Sequence, residues 1–214
     1  MFDFTEDRLT RLSAEVGRVL SPYRFSHTLG VERMIATLGD LYVPEKKGML
    51  RAAALLHDVT KELSEEKQRE IIAAHGITLR PDEMASPKIY HGITAALTIP
   101  KEYPELADEE LLLAVRWHTT AHAGVTLTEA LLYLADYIEE GRTFADCVRL
   151  RELFFDADPA RMTREERERH LWDTVLCALD LTLASLRQKN ATVCLDTLAA
   201  RDELRQEGII RTRF

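Results

Sequence analysis

The chain has 214 residues, 46% hydrophobic and 30% charged, and its 28 Lys and Arg against 36 Asp and Glu give a formal net charge of −8. That is ordinary globular composition in the size range of one domain, with material for a core, so general disorder is excluded. A net acidic chain lacks the basic footprint that counterion release on nucleic acid requires, which excludes DNA or RNA as the main partner and leaves a locally positive nucleotide pocket open.

Almost every segment reads with helical period. Leu9, Leu12, Val16 and Val19 form a first apolar stripe, with Thr5 placed to cap it. A second helix runs through Leu29, Met34, Ile35, Leu38 and Leu41 until Pro44 interrupts, and Pro44 suits the first turn of a third, through Met49, Ala52, Ala53 and Leu56. Ser64 caps a helix through Ile71 and Ile72 that Gly76 closes. Asp108 opens a helix through Leu111, Leu112 and Val115; Thr126 or Thr128 opens another through Leu131, Leu134 and Ile138, ending near Gly141. Thr163 and Glu166 have capping-box spacing ahead of a long helix through Leu171, Val175, Leu179 and Leu183, and a last helix covers Leu195 to Leu204. Nothing alternates long enough for a sheet. The predicted fold class is all-α in one domain over 1–214, with a core about 20–142, an insertion at 151–170 (most charged from Asp156 to His170) and C-terminal helices over 171–206.

Cys147, Cys177 and Cys194 are too far apart for a C-x-x-C knuckle and too odd in number to pair fully, so they read as idle thiols in a reducing compartment. The first residues carry acids where a signal peptide carries bases, and no run approaches the roughly 18 apolar residues of a membrane span. The expectation is a cytoplasmic protein without a membrane partner.

Of the seven histidines, four stand where helices end or meet loops. His57 and Asp58 are adjacent in Leu-Leu-His-Asp-Val-Thr-Lys; His27 lies one helix earlier, His91 in Tyr-His-Gly, His118 in Trp-His-Thr-Thr, and Asp136 in Leu-Ala-Asp-Tyr. Taken singly, His57-Asp58 reads as a helix end with a surface acid, Asp136 as a satisfied helix acid, and the other histidines as ordinary ones. Together they differ: buried aspartates need partners, and one cation with imidazole and carboxylate ligands satisfies all of them. Lys61 and Arg142 read either as solvated surface charges or as phosphate contacts, Arg142 as a bidentate fork. His75, His122 and His170 fit no pattern and are expected to face solvent.

The order His…His-Asp…Asp is the signature of the HD-domain superfamily, and the intervening histidines mark the subset able to hold a second metal. The segments Tyr-Arg-Phe-Ser-His-Thr-Leu-Gly-Val (23–31), Leu-Leu-His-Asp-Val-Thr-Lys (55–61), His-Gly (91–92), His-Thr-Thr-Ala (118–121) and Tyr-Leu-Ala-Asp-Tyr-Ile-Glu-Glu-Gly-Arg (133–142) resemble the YqeK family of symmetrical diadenosine-tetraphosphate hydrolases. The likeness spans about 8–150 and resumes at Thr-Leu-Ala-Ala-Arg-Asp (197–202). It implies an HD-type helical bundle with a C-terminal helical extension, and an iron-type centre with His27, His57, Asp58 and Asp136 as metal ligands. His91 and His118 would face the phosphates or hold a second metal. Asp58, Lys61, His91 and His118 carry the implied catalysis; Arg24, Val59, Thr60, Lys61, Thr119 and Arg142 line the phosphates, and Thr197, Arg201 and Asp202 help hold the nucleotide. The family usually has Pro at Glu140, Gly at Ala121, Asn at Asp202 and Lys at Ala130, departures that bear on nucleotide grip and base preference.

The chemistry agrees. A polyphosphate is anionic and water a poor nucleophile, and a metal addresses both problems. Imidazole and carboxylate also suit manganese or zinc; iron is what the resemblance implies. The expected partner is a dinucleoside polyphosphate cut to two ADP, and a homodimer is left open. Two alternatives stand beside it: another HD-type nucleotidase or phosphodiesterase, and a nucleotide sensor without turnover, against which the intact ligand set argues.

Overall fold

Local capping sets the starts of the helices in this computed structural model, which describes residues 2–211. α1 (Glu6–Val19) begins where the Thr5 hydroxyl accepts the Arg8 N–H, and α2 (Pro22–Tyr42) where Ser21 does the same for Arg24 with Pro22 in the first turn. α3 (Lys47–Leu56) starts one short turn later than Pro44 suggests, because residues 44–46 form a 3-10 turn. α4 (Glu65–Ala74) is capped by Ser64, and Gly76 past its end takes the left-handed φ of 71°. The short α5 (Pro81–Met84) precedes α6 (Tyr90–Glu102), a helix that the sequence reading leaves out. α7 (Glu109–Trp117) opens on Asp108, and α8 (Leu127–Ile138) on Thr126, whose capping box is closed by Glu129. α9 (Ala145–Asp156) is also absent from the sequence reading; α10 (Arg164–Gln188) begins at the Thr163–Glu166 box, and α11 (Leu195–Arg211) outruns its expected end. Residues 151–170 supply the second half of α9, a left-handed turn at Asp158 and the first turns of α10. Among the described residues there is no strand, and no helix is long and apolar enough to cross a membrane.

The packing explains the placement of the chemistry. α3 is buried on nearly every face from Met49 to Leu56, wedged between α2, α1 and α7. α8 packs on α2 and α7 and is covered outside by α9 and α10, while α6 joins α7 to α4. At about 25 cal/mol per Å² of apolar surface removed from water, this continuous core is what holds the helix ends together. Val19 is a correction to the first stripe: it is 61% exposed, since the core face of α1 stops at Val16.

Candidate metal centre

Five helices deliver the chemistry to one point. α2 carries Arg24 and His27; α3 ends at His57, and the turn after it holds Asp58 and Lys61. His91 is in the first turn of α6, His118 caps α7, and Asp136 lies in the last turn of α8. Ligand atoms of His27, His57 and Asp136 lie within 4.8 Å of one another, as do those of His57, Asp58 and His118. His57 belongs to both triads. All four expected ligands thus converge, and His118 joins them directly. His91 stands at the edge, with Nε2 3.1 Å from Asp58 Oδ1 and 3.0 Å from His118 Nε2.

Each imidazole is oriented by its other nitrogen. His57 Nδ1 donates to the Ala54 carbonyl at 2.6 Å and His118 Nδ1 to the Val115 carbonyl at 2.7 Å, carbonyls of the last helical turns that lack helix partners. His27 Nδ1 lies 3.1 Å from Glu139 Oε1. Those bonds place a proton on Nδ1 and turn Nε2 into the cluster. The Nε2 atom of His57 is buried and makes no hydrogen bond, whereas His27 Nε2 faces Asp136 Oδ1 at 3.0 Å. A buried nitrogen without a partner costs about 1–3 kcal/mol, and a cation removes that cost. The donor set of imidazole and carboxylate, with these atoms aimed at carboxylate oxygens, fits a divalent cation.

Electrostatics keep the set ready for a metal. Burial alone would raise the Asp58 carboxyl; His57, His118, His91 and Lys61 around it hold it well below the usual range. Asp136 is treated alike, with Arg142 and His27 outweighing burial. Burial pushes His57 and His91 down to about 4, so both are neutral at pH 7. Burial opposes the charged form of His27 too, but the hydrogen bonds it donates to Asp136 and Glu139 lift it to about 9. Desolvation lowers the Lys61 ammonium.

The surrounding cations face the same carboxylates. Arg24 donates to Asp58 at 2.8 Å, the Arg142 guanidinium donates to both the carboxylate and the backbone carbonyl of Asp136, and Lys61 Nζ sits 2.9 Å from His91 Nε2. The Thr119 hydroxyl is 3.2 Å from His118 Nε2. Thr60 is buried, its hydroxyl donating to the His91 carbonyl, and Val59 packs on the core, so neither side chain points into the cluster. Thr197 is buried in the first turn of α11; Arg201 pairs with Asp180 and the exposed Asp202. None of these three touches the ligand cluster.

Two of the histidines expected in solvent are not there. His122 stacks on Trp117 at 4.5 Å between centroids and bonds the buried Glu129, while His170 stacks on Phe154 and bonds its carbonyl. Their apolar ring faces find aromatic partners that spacing does not reveal. His75 is exposed, as expected. Glu139 is the site residue that the sequence reading missed: it is 2% exposed, three residues after Asp136.

The HD domain family model matches residues 24–141, so this chain belongs to the HD domain family, and it is a hydrolase of that type. Within that family it is similar to proteins named "Bis(5'-nucleosyl)-tetraphosphatase, symmetrical". The Bacillus subtilis (strain 168) relative is 29% identical over 182 residues, 85% of this chain and 89% of that one. The Staphylococcus aureus (strain NCTC 8325 / PS 47) relative is 31% identical over 134 residues, 62% of this chain and 67% of that one. A crystal structure from Clostridium acetobutylicum, described as a predicted HD superfamily hydrolase involved in NAD metabolism, superposes with a TM-score of 0.79 at 26% identity, covering 92% of this chain and 97% of that one.

Proposed function

We propose that this enzyme hydrolyses diadenosine tetraphosphate symmetrically to two ADP, with iron as the divalent cation. One observation carries the reading: the buried, partnerless Nε2 of His57 converges with His27 Nε2, Asp58 and Asp136 inside a ring of basic side chains. His27, His57, Asp58 and Asp136 hold the cation, and His118 and His91 face the phosphates beside it. A divalent cation held there would supply a more acidic water and an electron-withdrawing partner for phosphoryl oxygen. Arg24 and Arg142 now neutralise Asp58 and Asp136; with the carboxylates engaged by a metal, both guanidiniums turn to phosphate, Arg142 as a planar fork. Lys61 and the Thr119 hydroxyl stabilise charge on the departing diphosphate.

The nucleosides need room on either side. A cavity of about 470 Å³ opens beside the centre, lined by Asp136, Tyr137, Arg142, Phe144, Thr182 and Lys189. Its size is that of small-molecule sites, and Phe144 gives an exposed ring for a base. Thr197, Arg201 and Asp202, with the backbone of Val59 and Thr60, clasp the other nucleoside diphosphate. In this register the phosphorus attacked is the second from its nucleoside.

The test is the cleavage pattern in heavy-oxygen water. Diadenosine tetraphosphate should give only ADP, with one of each two molecules labelled on its β-phosphate. Early equimolar ATP and AMP would overturn the register, and a metal-loaded protein without turnover would overturn the enzymatic reading.

A further inference from the structure

We propose that Glu139 is the positioning residue of this centre, its carboxylate accepting the Nδ1–H hydrogen bond of His27 and so directing Nε2 to the cation. The proposal rests on the metal reading above. The carboxylate is held from both ends. Oε1 lies 3.1 Å from His27 Nδ1, and Oε2 accepts the Gly141 N–H at 2.6 Å. Buried glutamates occur when paired, and this one has no other side-chain ion partner among the described residues.

Two glycines make its slot. A Cβ on Gly30 would overlap Glu139 Oε2 and stand 3.0 Å from its Cδ; one on Gly141 would stand 2.9 Å from the same oxygen. Gly30 is three residues past His27 on α2, so the helix that offers the ligand also opens the space for the group that orients it. α8 does the converse, supplying a ligand in Asp136 and the orienting acid one turn later. His57 and His118 are oriented by neutral backbone carbonyls, whereas His27 alone of these three is oriented by a charge. A carboxylate behind an imidazole makes it the more basic ligand.

A merely structural role is the competing explanation, with Glu139 finishing α8. The backbone at that point is secured independently, since Arg151 donates to the carbonyls of Ile138 and Glu139 and the Arg142 N–H bonds the Glu139 carbonyl. Glu139→Gln keeps side-chain size and one of the two acceptor oxygens, removing the charge and the second acceptor.

The experiment titrates Mn²⁺ into metal-free protein and records the imidazole Nδ1 protons of zinc-loaded protein by NMR. Glu139→Gln should weaken Mn²⁺ binding about 10- to 100-fold and move the His27 Nδ1–H resonance upfield at wild-type helicity, with a lower metal-free melting temperature because charged His27 loses a counter-ion. Gly30→Ala, which displaces the carboxylate without changing its charge, should weaken Mn²⁺ binding as well, and serves if Glu139→Gln does not fold. Glu140→Gln, an exposed neighbour, should match wild type. Wild-type Mn²⁺ affinity and an unmoved Nδ1–H resonance in Glu139→Gln overturn the proposal. A wild-type protein that binds no Mn²⁺ instead overturns the metal reading on which it rests.

Discussion

Stripping the metal should soften the whole bundle by at least the cost of the nitrogen it leaves without a partner. His57 Nε2 is buried without a hydrogen bond, which costs about 1–3 kcal/mol. In a chain of this length each kcal/mol moves the melting temperature by about 2–4 °C, so chelation should lower it by roughly 2–12 °C. The assay is calorimetry of anaerobically purified protein, before and after chelation and again after adding metal back, with metal content measured at each step. His57→Ala removes that orphan and a ligand of both triads, so its melting curve should ignore the chelator. An unchanged curve in wild-type protein, with loss of metal verified, would refute the assignment of this nitrogen.

Two further outcomes concern the same centre. Lys61→Ala and Arg142→Ala should keep their metal and lose about 10- to 100-fold in kcat/KM, the worth of a charge-assisted bond; Arg142→Lys should rescue poorly, and wild-type kinetics would return both residues to solvent. Metal-free His27 holds a proton up to about pH 9 because its folded pKa is raised, so a metal must displace that proton to bind. Apparent affinity should therefore climb about tenfold per pH unit from neutrality and level off near 9, and a flat profile over that range would show that no such proton is released.

What could be read from the sequence was what is written locally. Thr5, Asp108, Ser64 and the Thr163–Glu166 box announce their helices because a cap is a contact between residues three apart. α6 hides because Gly92, Thr94, Thr98 and Pro100 are weak helix formers; burial of Tyr90 to Ala95 and Ile99 overrides them, and Pro100 falls in the last turns. α9 hides its apolar Cys147, Leu150 and Phe154 among charges. The candidate ligands were legible as an ordered set, His27, His57-Asp58, His91, His118 and Asp136, since each alone reads as an ordinary helix-end or core residue. Glu139 was not, since nothing in Glu-Glu-Gly tells the buried acid from the exposed Glu140. That distinction depends on where α8 ends and on Gly30, more than a hundred positions away.

α3 and α7 both run into the centre by their C-terminal ends, stopping at His57 and His118. The end of a helix that exposes carbonyls carries roughly half a negative charge. Two such ends add negative potential beside Asp58 and Asp136, which Arg24, Arg142 and Lys61 answer in the metal-free protein. A cation that took over the carboxylates would free those basic groups for phosphate. Assembly therefore has an order, cation first and nucleotide second, and nucleotide added to stripped protein should bind more weakly.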